Sequence, residues 1–478
     1  MKIIIQRNIL PLLGILFLVF VSGTDSSEVP MIVGALIAGQ ILEIILNFVF
    51  EKQVLKIGGE KVKNLFSQTS KTEKFWWKWS FLTGWLILGA AFAIFRFTDL
   101  KTTAAILLVA APFSLSLAVN LGLKVGISHL LALGLLPRSK DSFEKAGEVN
   151  VITFDKRGSL STAQTQVQKM KTIDNFSHRD LLQYAVSIEQ GSQHPFANAI
   201  RAKADEEKIT PLKVSDVQIV AGKGVSGSIE IEGKLQKVCV GNLFWLFEND
   251  YDSTKLPSDL QWEADGSHDA VLWVGSDQKF LGVLSISDPL RAEAFATIES
   301  LAHNGYEIGV ITGDAENPTK KLAKELKLKF FHFGVVGDEK ATLVKRLGLP
   351  KKKGLDMVTD RVAFVGSADQ EQKALEAAYF GIALGNSAEA DLEVPSQDIR
   401  QIAKAFEVFQ KTNGLIFQNL LISLLYLLVT LPLVGGALNI RFGVSIPLSL
   451  CACLVSIPQV LIFLNSIRAL RSKVDVSN

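Results

Sequence analysis

The chain has little cysteine, three residues in 478. Cys239 stands alone in the central part, while Cys451 and Cys453 share one apolar run near the end. No CxxC pair occurs, which argues against a disulfide framework and fits a reducing compartment for the central part. An excess of charge of either sign is also missing. Fifty basic against 48 acidic residues leave a net +2. The central part has neither a basic stripe nor a basic tail, so no nucleic-acid partner is expected.

Apolar sequence is abundant: 48% of residues are hydrophobic and mean hydropathy is +0.28. The excess collects in runs at residues 9–23, 31–50, 75–97 and 103–136, then again at 415–438 and 442–467. Each run is near or above the ~20 residues that a helix needs to cross a bilayer. Residues 137–409 read instead as an ordinary water-soluble insert. The expectation is an integral membrane protein in which these runs make six spans. Lys52, Lys56, Lys61, Lys63, Lys71 and Lys74 sit between the second and third runs, and Arg468, Arg471 and Lys473 follow the sixth. The opposite loops are short and poor in basic residues. The positive-inside rule then puts both termini and the insert in the cytoplasm, as in a protein of the inner (plasma) membrane. Residues 1–23 also fit a signal peptide, because Val21-Ser22-Gly23 ends the run in small residues. The span is preferred because it keeps both ends cytoplasmic beside basic flanks.

Within the insert, "VNVITFDKRGSLSTAQ" (149–164) carries Asp155 on an apolar, β-branched run into a Lys-Arg-Gly turn. Further strand signals follow at 281–290, 307–314 and 362–366, with helix signals at 292–304 and 319–326. Short apolar runs alternating with amphipathic helices predict a parallel sheet wound on both faces. The first strand precedes the stretch from Thr162 to Ser276, which therefore reads as a separate inserted domain. Ligands in such sheets sit beyond the carboxyl ends of the strands. Asp155, Thr312-Gly313-Asp314 and Gly366-Ser367 all fall at such ends, so one site could gather them.

Several stretches together carry a family resemblance. "DKRGSLS" is similar to the DKTGTLT phosphorylation motif of P-type ATPases, "TGD" (312–314) matches outright, and "GDEKATLVKRL" (337–347) resembles the PxDK segment. "EQGSQHPFANAI" (189–200) and "AGKGVSG" (221–227) resemble nucleotide-domain motifs of the heavy-metal, copper-type branch. "APFSLSLAVNLGLKVG" (111–126) stands where that branch has CPCALGLA, and "NLLISLLYLLVTLP" (419–432) matches its fifth span. TGD alone would be read as a strand-to-helix turn with an N-cap. The ordered series points to the family instead.

The resemblance implies a helical membrane domain plus an α/β phosphorylation domain of the haloacid-dehalogenase type, interrupted by an α+β nucleotide-binding domain. Its parts would be spans at 1–50 and 75–136, a short loop at 51–74, the phosphorylation domain at 137–161 and 277–408, the nucleotide domain at 162–276, and the last spans at 409–478. It implies Asp155 as nucleophile beside Lys156, with Thr312, Gly313, Asp314 and Lys340 around the transferred phosphoryl group. Positioning and charge neutralisation are most of what that reaction needs. For ATP it implies Glu189, Gln193, His194, Pro195, Gly222 and Gly224, the glycines allowing close backbone approach.

The departures fall on the chemistry. Where the family ends its sheet in GDGxND, this chain reads "VGSADQE". Ser367 replaces the magnesium carboxylate, Gln370 the Asn and Glu371 the second Asp, which leaves Asp155 and Glu371 as weak magnesium candidates. A neutral hydroxyl is a poor ligand for this hard cation. Arg157 replaces a Thr, and two roles are open to it: supplying part of the missing charge, or blocking the site by pairing with Asp155. The CPC thiolates become Ala111-Pro112-Phe113, the Tyr-Asn pair becomes Tyr426-Leu427, and Val455 and Pro458 stand at the Met and Ser of the sixth span. No ligand for a transported metal is expected. Cys451 and Cys453 project roughly 200° apart on a helix and read as packing. Lys124 and His129 read as solvated or paired at the cytoplasmic mouth. Residues 51–74 contain no TGE and are too few for the actuator domain that hydrolyses the family's phosphoenzyme, and no metal-binding domain is expected ahead of the first run.

The preferred reading is a degenerate, non-pumping relative that binds ATP weakly, lacks secure magnesium and acts through a partner, a complete metal ATPase or another membrane protein. The alternatives are an active heavy-metal transporter with divergent ligands and a phosphatase of the haloacid-dehalogenase type. The phosphatase reading is weakened because Arg157 occupies the position of the usual general-acid Asp.

Overall fold

A computed structural model describes residues 113–173, 176–220, 223–231, 233–252, 270–314, 316–353, 356–437 and 446–472, with scattered positions between 41 and 109. The chain divides into two compact units. One comprises Val149–Glu389 with Gln397–Arg400, and the other takes the flanking sequence.

In the flanking unit, three helices are long and apolar enough to cross a membrane: Ser114–Ala132, Arg400–Gly435 and Leu448–Arg471. They coincide with the fourth, fifth and sixth apolar runs. Most of the first three runs, and most of 51–74, lie outside the described residues. Asn419 is buried and donates to the Ala118 carbonyl and to Ser466 Oγ, joining these three helices. Such side-chain bonds substitute for the hydrophobic driving force that lipid does not supply between helices. Lys124 is buried, not solvated, and donates to Asn47 O at 2.9 Å and Asn47 Oδ1 at 3.0 Å. Cys451 is buried and Cys453 exposed, so they occupy different faces.

The same unit holds a buried ion pair between Lys140 and Glu73 at 2.9 Å, each side chain 5% exposed. Ser70 and Glu73 form a reciprocal capping box, Glu73 N to Ser70 Oγ and Ser70 N to Glu73 Oε2, both at 2.9 Å. The second oxygen of Glu73 then serves Lys140.

The other unit is built on two sheets. Strands β1 (Val151–Asp155), β8 (Glu307–Ile311), β9 (Phe330–His332), β10 (Val362–Ser367) and β11 (Phe380–Leu384) run parallel in the order β11-β10-β1-β8-β9. All five residues of β1 are buried, as β-branched and aromatic residues at the centre of a parallel sheet should be. The register pairs Val365 with Phe154 and Asp155 with Ile311, so the carboxyl ends of β10, β1 and β8 lie side by side.

The second sheet is antiparallel: β2 (Gln166–Thr172), β3 (Val214–Val220), β4 (Gly224–Ile231), β5 (Lys234–Gly241), β6 (Ala270–Ser276) and β7 (Lys279–Ser287), in the order β2-β7-β6-β5-β4-β3. Helices His178–Ile188 and Pro195–Glu206 share its core, through Leu181, Leu182, Ile200 and Ala204 against Val225, Ile229 and Leu284. The apolar run at 281–290 corrects one expectation. It was read as a strand of the parallel sheet, but β7 pairs with β6 and β2, so the antiparallel sheet runs past Ser276. An apolar run states that a strand is buried and leaves open which sheet buries it.

The two crossings between the sheets lie together. Thr162 N donates to Pro289 O at 3.1 Å, Arg291 N donates to Leu160 O at 2.8 Å, and Ser161 forms an antiparallel bridge with Leu290.

Candidate functional site

Asp155 ends β1 at the centre of the parallel sheet, Thr312 follows β8 and Ser367 ends β10. The expected gathering of these strand ends is therefore observed. The turn after Asp155 requires Gly158, whose φ is +77°. Arg291 holds this turn, donating to Gly158 O at 3.3 Å and Ser161 O at 3.2 Å. Ser161 Oγ donates to Asp288 Oδ2. Asp288 and Arg291 escaped the sequence reading, and only their place at the edge of the inserted segment could have flagged them.

Asp155 is 1% exposed. Its Oδ1 accepts from Lys340 Nζ at 2.7 Å, and Oδ2 is buried without a hydrogen-bond partner. Burial pushes the carboxyl up to about 6; the Lys340 charge and hydrogen bond oppose this, and the nearby Glu371 adds to it. Lys340 also donates to Glu371 Oε1 at 2.5 Å. Burial would lower its pKa, but the two carboxylates outweigh that and hold it above the ordinary lysine value. Glu371 reaches this position because Gly366 has no side chain: a Cβ there would come within 2.9 Å of Glu371 Cβ.

Lys156 pairs with Asp314, and Thr312 Oγ1 accepts from Asp314 N at 3.2 Å. Gly313 abuts Val336, whose Cγ1 would lie 2.8 Å from an added Cβ. Arg157 is exposed and Asp155 takes its ion pair from Lys340, so the blocking role is not realised.

The donors offered to a magnesium ion are one free carboxylate oxygen on Asp155 and the half-buried Ser367 hydroxyl. Glu371, the other sequence candidate, gives its Oε1 to Lys340, as Asp155 gives its Oδ1. A site that already holds the Lys340 ammonium, with a neutral hydroxyl at Ser367, does not fit the cation's demand for charge. Ala111 and Pro112 lie outside the described residues.

In the antiparallel domain, Glu189 is buried with Oε2 unpartnered. Burial raises its pKa, against the opposing Ser192 hydrogen bond and Arg201 charge. Gln193, His194 and Pro195 are exposed at the head of the helix Pro195–Glu206. His194 Nδ1 accepts from Phe196 N at 3.2 Å, which caps that helix. Gly224 has another reason to be glycine than backbone approach to a nucleotide. An added Cβ would lie 2.3 Å from Val240 O and 2.4 Å from Trp245 Cδ1. Gly222 lies outside the described residues.

A parallel sheet with a buried, lysine-paired aspartate at its central strand end defines a class, and comparison with known proteins agrees. The haloacid dehalogenase-like hydrolase family matches residues 149–378. The chain is 28% identical over 392 residues to a copper-exporting P-type ATPase of Legionella pneumophila subsp. pneumophila, covering 81% of this chain and 51% of that protein. It is 29% identical over 368 residues to a probable copper-exporting P-type ATPase of Archaeoglobus fulgidus, covering 75% and 43%. A crystal structure of a zinc-transporting PIB-type ATPase in the E2.Pi state shares the fold, with TM-score 0.70 and 22% identity over 87% of this chain and 67% of that one. The chain is similar to heavy-metal P-type ATPases, and three of its described helices are long and apolar enough to cross a membrane. It spans about half the length of the curated relatives it matches.

Proposed function

We propose that this protein is a non-pumping relative of the heavy-metal P-type ATPases that binds ATP weakly and acts on a partner in the membrane. The observation that carries this reading is the end of β10. Ser367 stands where the family holds magnesium, and the one further candidate carboxylate, Glu371, is tied to Lys340. Asp155 keeps the position of a nucleophile, with Lys340 against one oxygen and the other free. Without a secure divalent cation, the negative charge of the γ-phosphate repels an attacking carboxylate. The short segment 51–74, with no TGE, argues the same way, since no actuator would hydrolyse a phosphoenzyme. Six spans, with both termini and the soluble unit in the cytoplasm, complete the proposed architecture. ATP binding rests on Glu189 and His194. The neutral Gln193 in place of the family's Glu weakens it by about 1–2 kcal/mol.

The test is labelling of the purified full chain with γ-labelled ATP and magnesium. Phosphorylation should run ~10³-fold or more below a competent pump, equivalent to ~4 kcal/mol. No hydroxylamine-sensitive label should appear on a pump's timescale, and no metal ion should stimulate ATP turnover. Rapid labelling of Asp155 with metal-stimulated phosphate release would establish the alternative, an active transporter. The buried, unpartnered Asp155 Oδ2 is what favours that second reading.

A further inference from the structure

The turn that carries Glu189 and His194 has no regular structure of its own beyond one 3-10 turn, Glu189–Gly191. It leaves the helix His178–Ile188 and enters the helix Pro195–Glu206 within a few residues. Carbonyls at such a junction lack helical partners and need donors. Arg201, one turn or more into the second helix, supplies them. Its Nη1 donates to Glu189 O at 2.7 Å and Gln190 O at 3.3 Å; its Nη2 donates to Ser192 O at 3.0 Å and to Asn198 Oδ1 at 2.5 Å. One guanidinium thus binds three carbonyls of the turn. The planar fork can do this because its donors are fixed relative to one another; an ammonium cannot.

The consequence lies on the other side of the turn. With its backbone held, Glu189 keeps a buried carboxylate whose Oε2 has no partner. His194 is fixed by its own cap to Phe196 N and by an edge contact with the Phe196 ring at 4.5 Å. Nδ1 is the acceptor in that cap, so the neutral ring carries its proton on Nε2. The turn therefore carries a buried carboxylate acceptor and an exposed aromatic donor.

We propose that Arg201 is the positioning residue for base recognition: it fixes the turn so that Glu189 and His194 receive an adenine. The proposal rests on the reading that this domain binds ATP. Glu189 accepts from the exocyclic amine of the base, which adenine has at that position and guanine does not. Arg201 touches no nucleotide. It acts by removing the cost of ordering the turn on binding.

A residue that only capped the first helix would affect stability and leave base choice alone, so base choice is the readout. The full chain is purified in micelles, and binding of ATP and GTP is measured by calorimetry for the wild type, R201A, R201K and H194A, with hydrogen exchange followed across residues 189–241. The wild type should prefer ATP. R201A should bind ATP at least tenfold more weakly with GTP nearly unchanged, and exchange should rise in 189–194 but not in β4 or β5. R201K should keep the fold and recover only part of the preference. H194A should weaken ATP with no rise in exchange. Full ATP preference in both Arg201 variants, with or without faster exchange, overturns the proposal and leaves Arg201 a helix cap. If R201A raises exchange throughout the sheet, R201K decides alone. No ATP binding by the wild type would refute the ATP reading itself, and the proposal with it, before any variant is compared.

Discussion

Replacing Asp155 by Asn should stabilise this protein at neutral pH. The carboxyl has an ordinary pKa of 3.8 and is pushed up to about 6 in the folded chain. A raised acid pKa means that folding disfavours the charged form. The stabilising contribution is complete below the unfolded value, 3.8, and is lost as pH rises through about 6. The difference of 2.2 units (6 minus 3.8), at 1.36 kcal/mol per unit, makes the ionised Asp155 cost about 3 kcal/mol. Lys340 is already included in that balance, since its charge and hydrogen bond oppose the shift without cancelling it. Asn has the shape of the neutral acid and does not ionise. Asp155→Asn should therefore raise stability by up to about 3 kcal/mol at about pH 7.5, and the gain should vanish near pH 4. For a unit of this size that is a rise of roughly 6–12 °C in Tm. The assay is thermal unfolding of the full chain in detergent at several pH values, followed by tryptophan fluorescence. A Tm equal to or below the wild type at about pH 7.5 would show that attraction to Lys340 exceeds the burial cost, and the reasoning would be wrong.

Two further expectations concern packing. Glu73→Gln leaves the Lys140 ammonium, 5% exposed, without its carboxylate, and should cost about 3–5 kcal/mol, with Glu73→Gln plus Lys140→Gln costing less than the single change; unfolding of the three variants measures both. Gly224→Ala puts a methyl 2.3 Å from Val240 O. It should cost about 1–3 kcal/mol and shift the fluorescence of the buried Trp245, whereas a neutral substitution would return Gly224 to a purely ligand-facing role.

Much of the site was legible because it lies at strand ends. The run Val151 to Phe154 is β-branched or aromatic throughout, and the residue that ends such a run in a parallel sheet faces the ligand crevice. Thr312 and Ser367 followed by the same logic. What was not legible depended on pairs distant in sequence. Lys340 lies in the helix Asp338–Leu347 and Glu371 directly before the helix Gln372–Ala377, and no spacing announces a lysine shared by two carboxylates. Gly224 resembled a ligand-binding glycine, yet its neighbours across the sheet, Val240 and Trp245, account for it. Nothing in the sequence singles out Arg201, whose carbonyl partners lie nine to twelve residues earlier. The box Ser70-x-x-Glu73 and its buried Lys140 partner were not read from the sequence, since the two are 67 residues or more apart.

The paired crossings between the two sheets have a mechanical consequence. The chain leaves the parallel sheet at Leu160–Thr162 and returns at Pro289–Arg291, and these two segments are hydrogen-bonded to each other in both directions. Two strands tied along their length make a ribbon. It bends readily across its flat face, but shearing one strand past the other breaks Thr162–Pro289 and Arg291–Leu160 together. A rotation of the antiparallel sheet relative to the parallel one that keeps these bonds would have to bend the ribbon across its flat face, at a few residues at element ends. Asp288, receiving Ser161 Oγ beside these bonds, adds a third tie between the two segments.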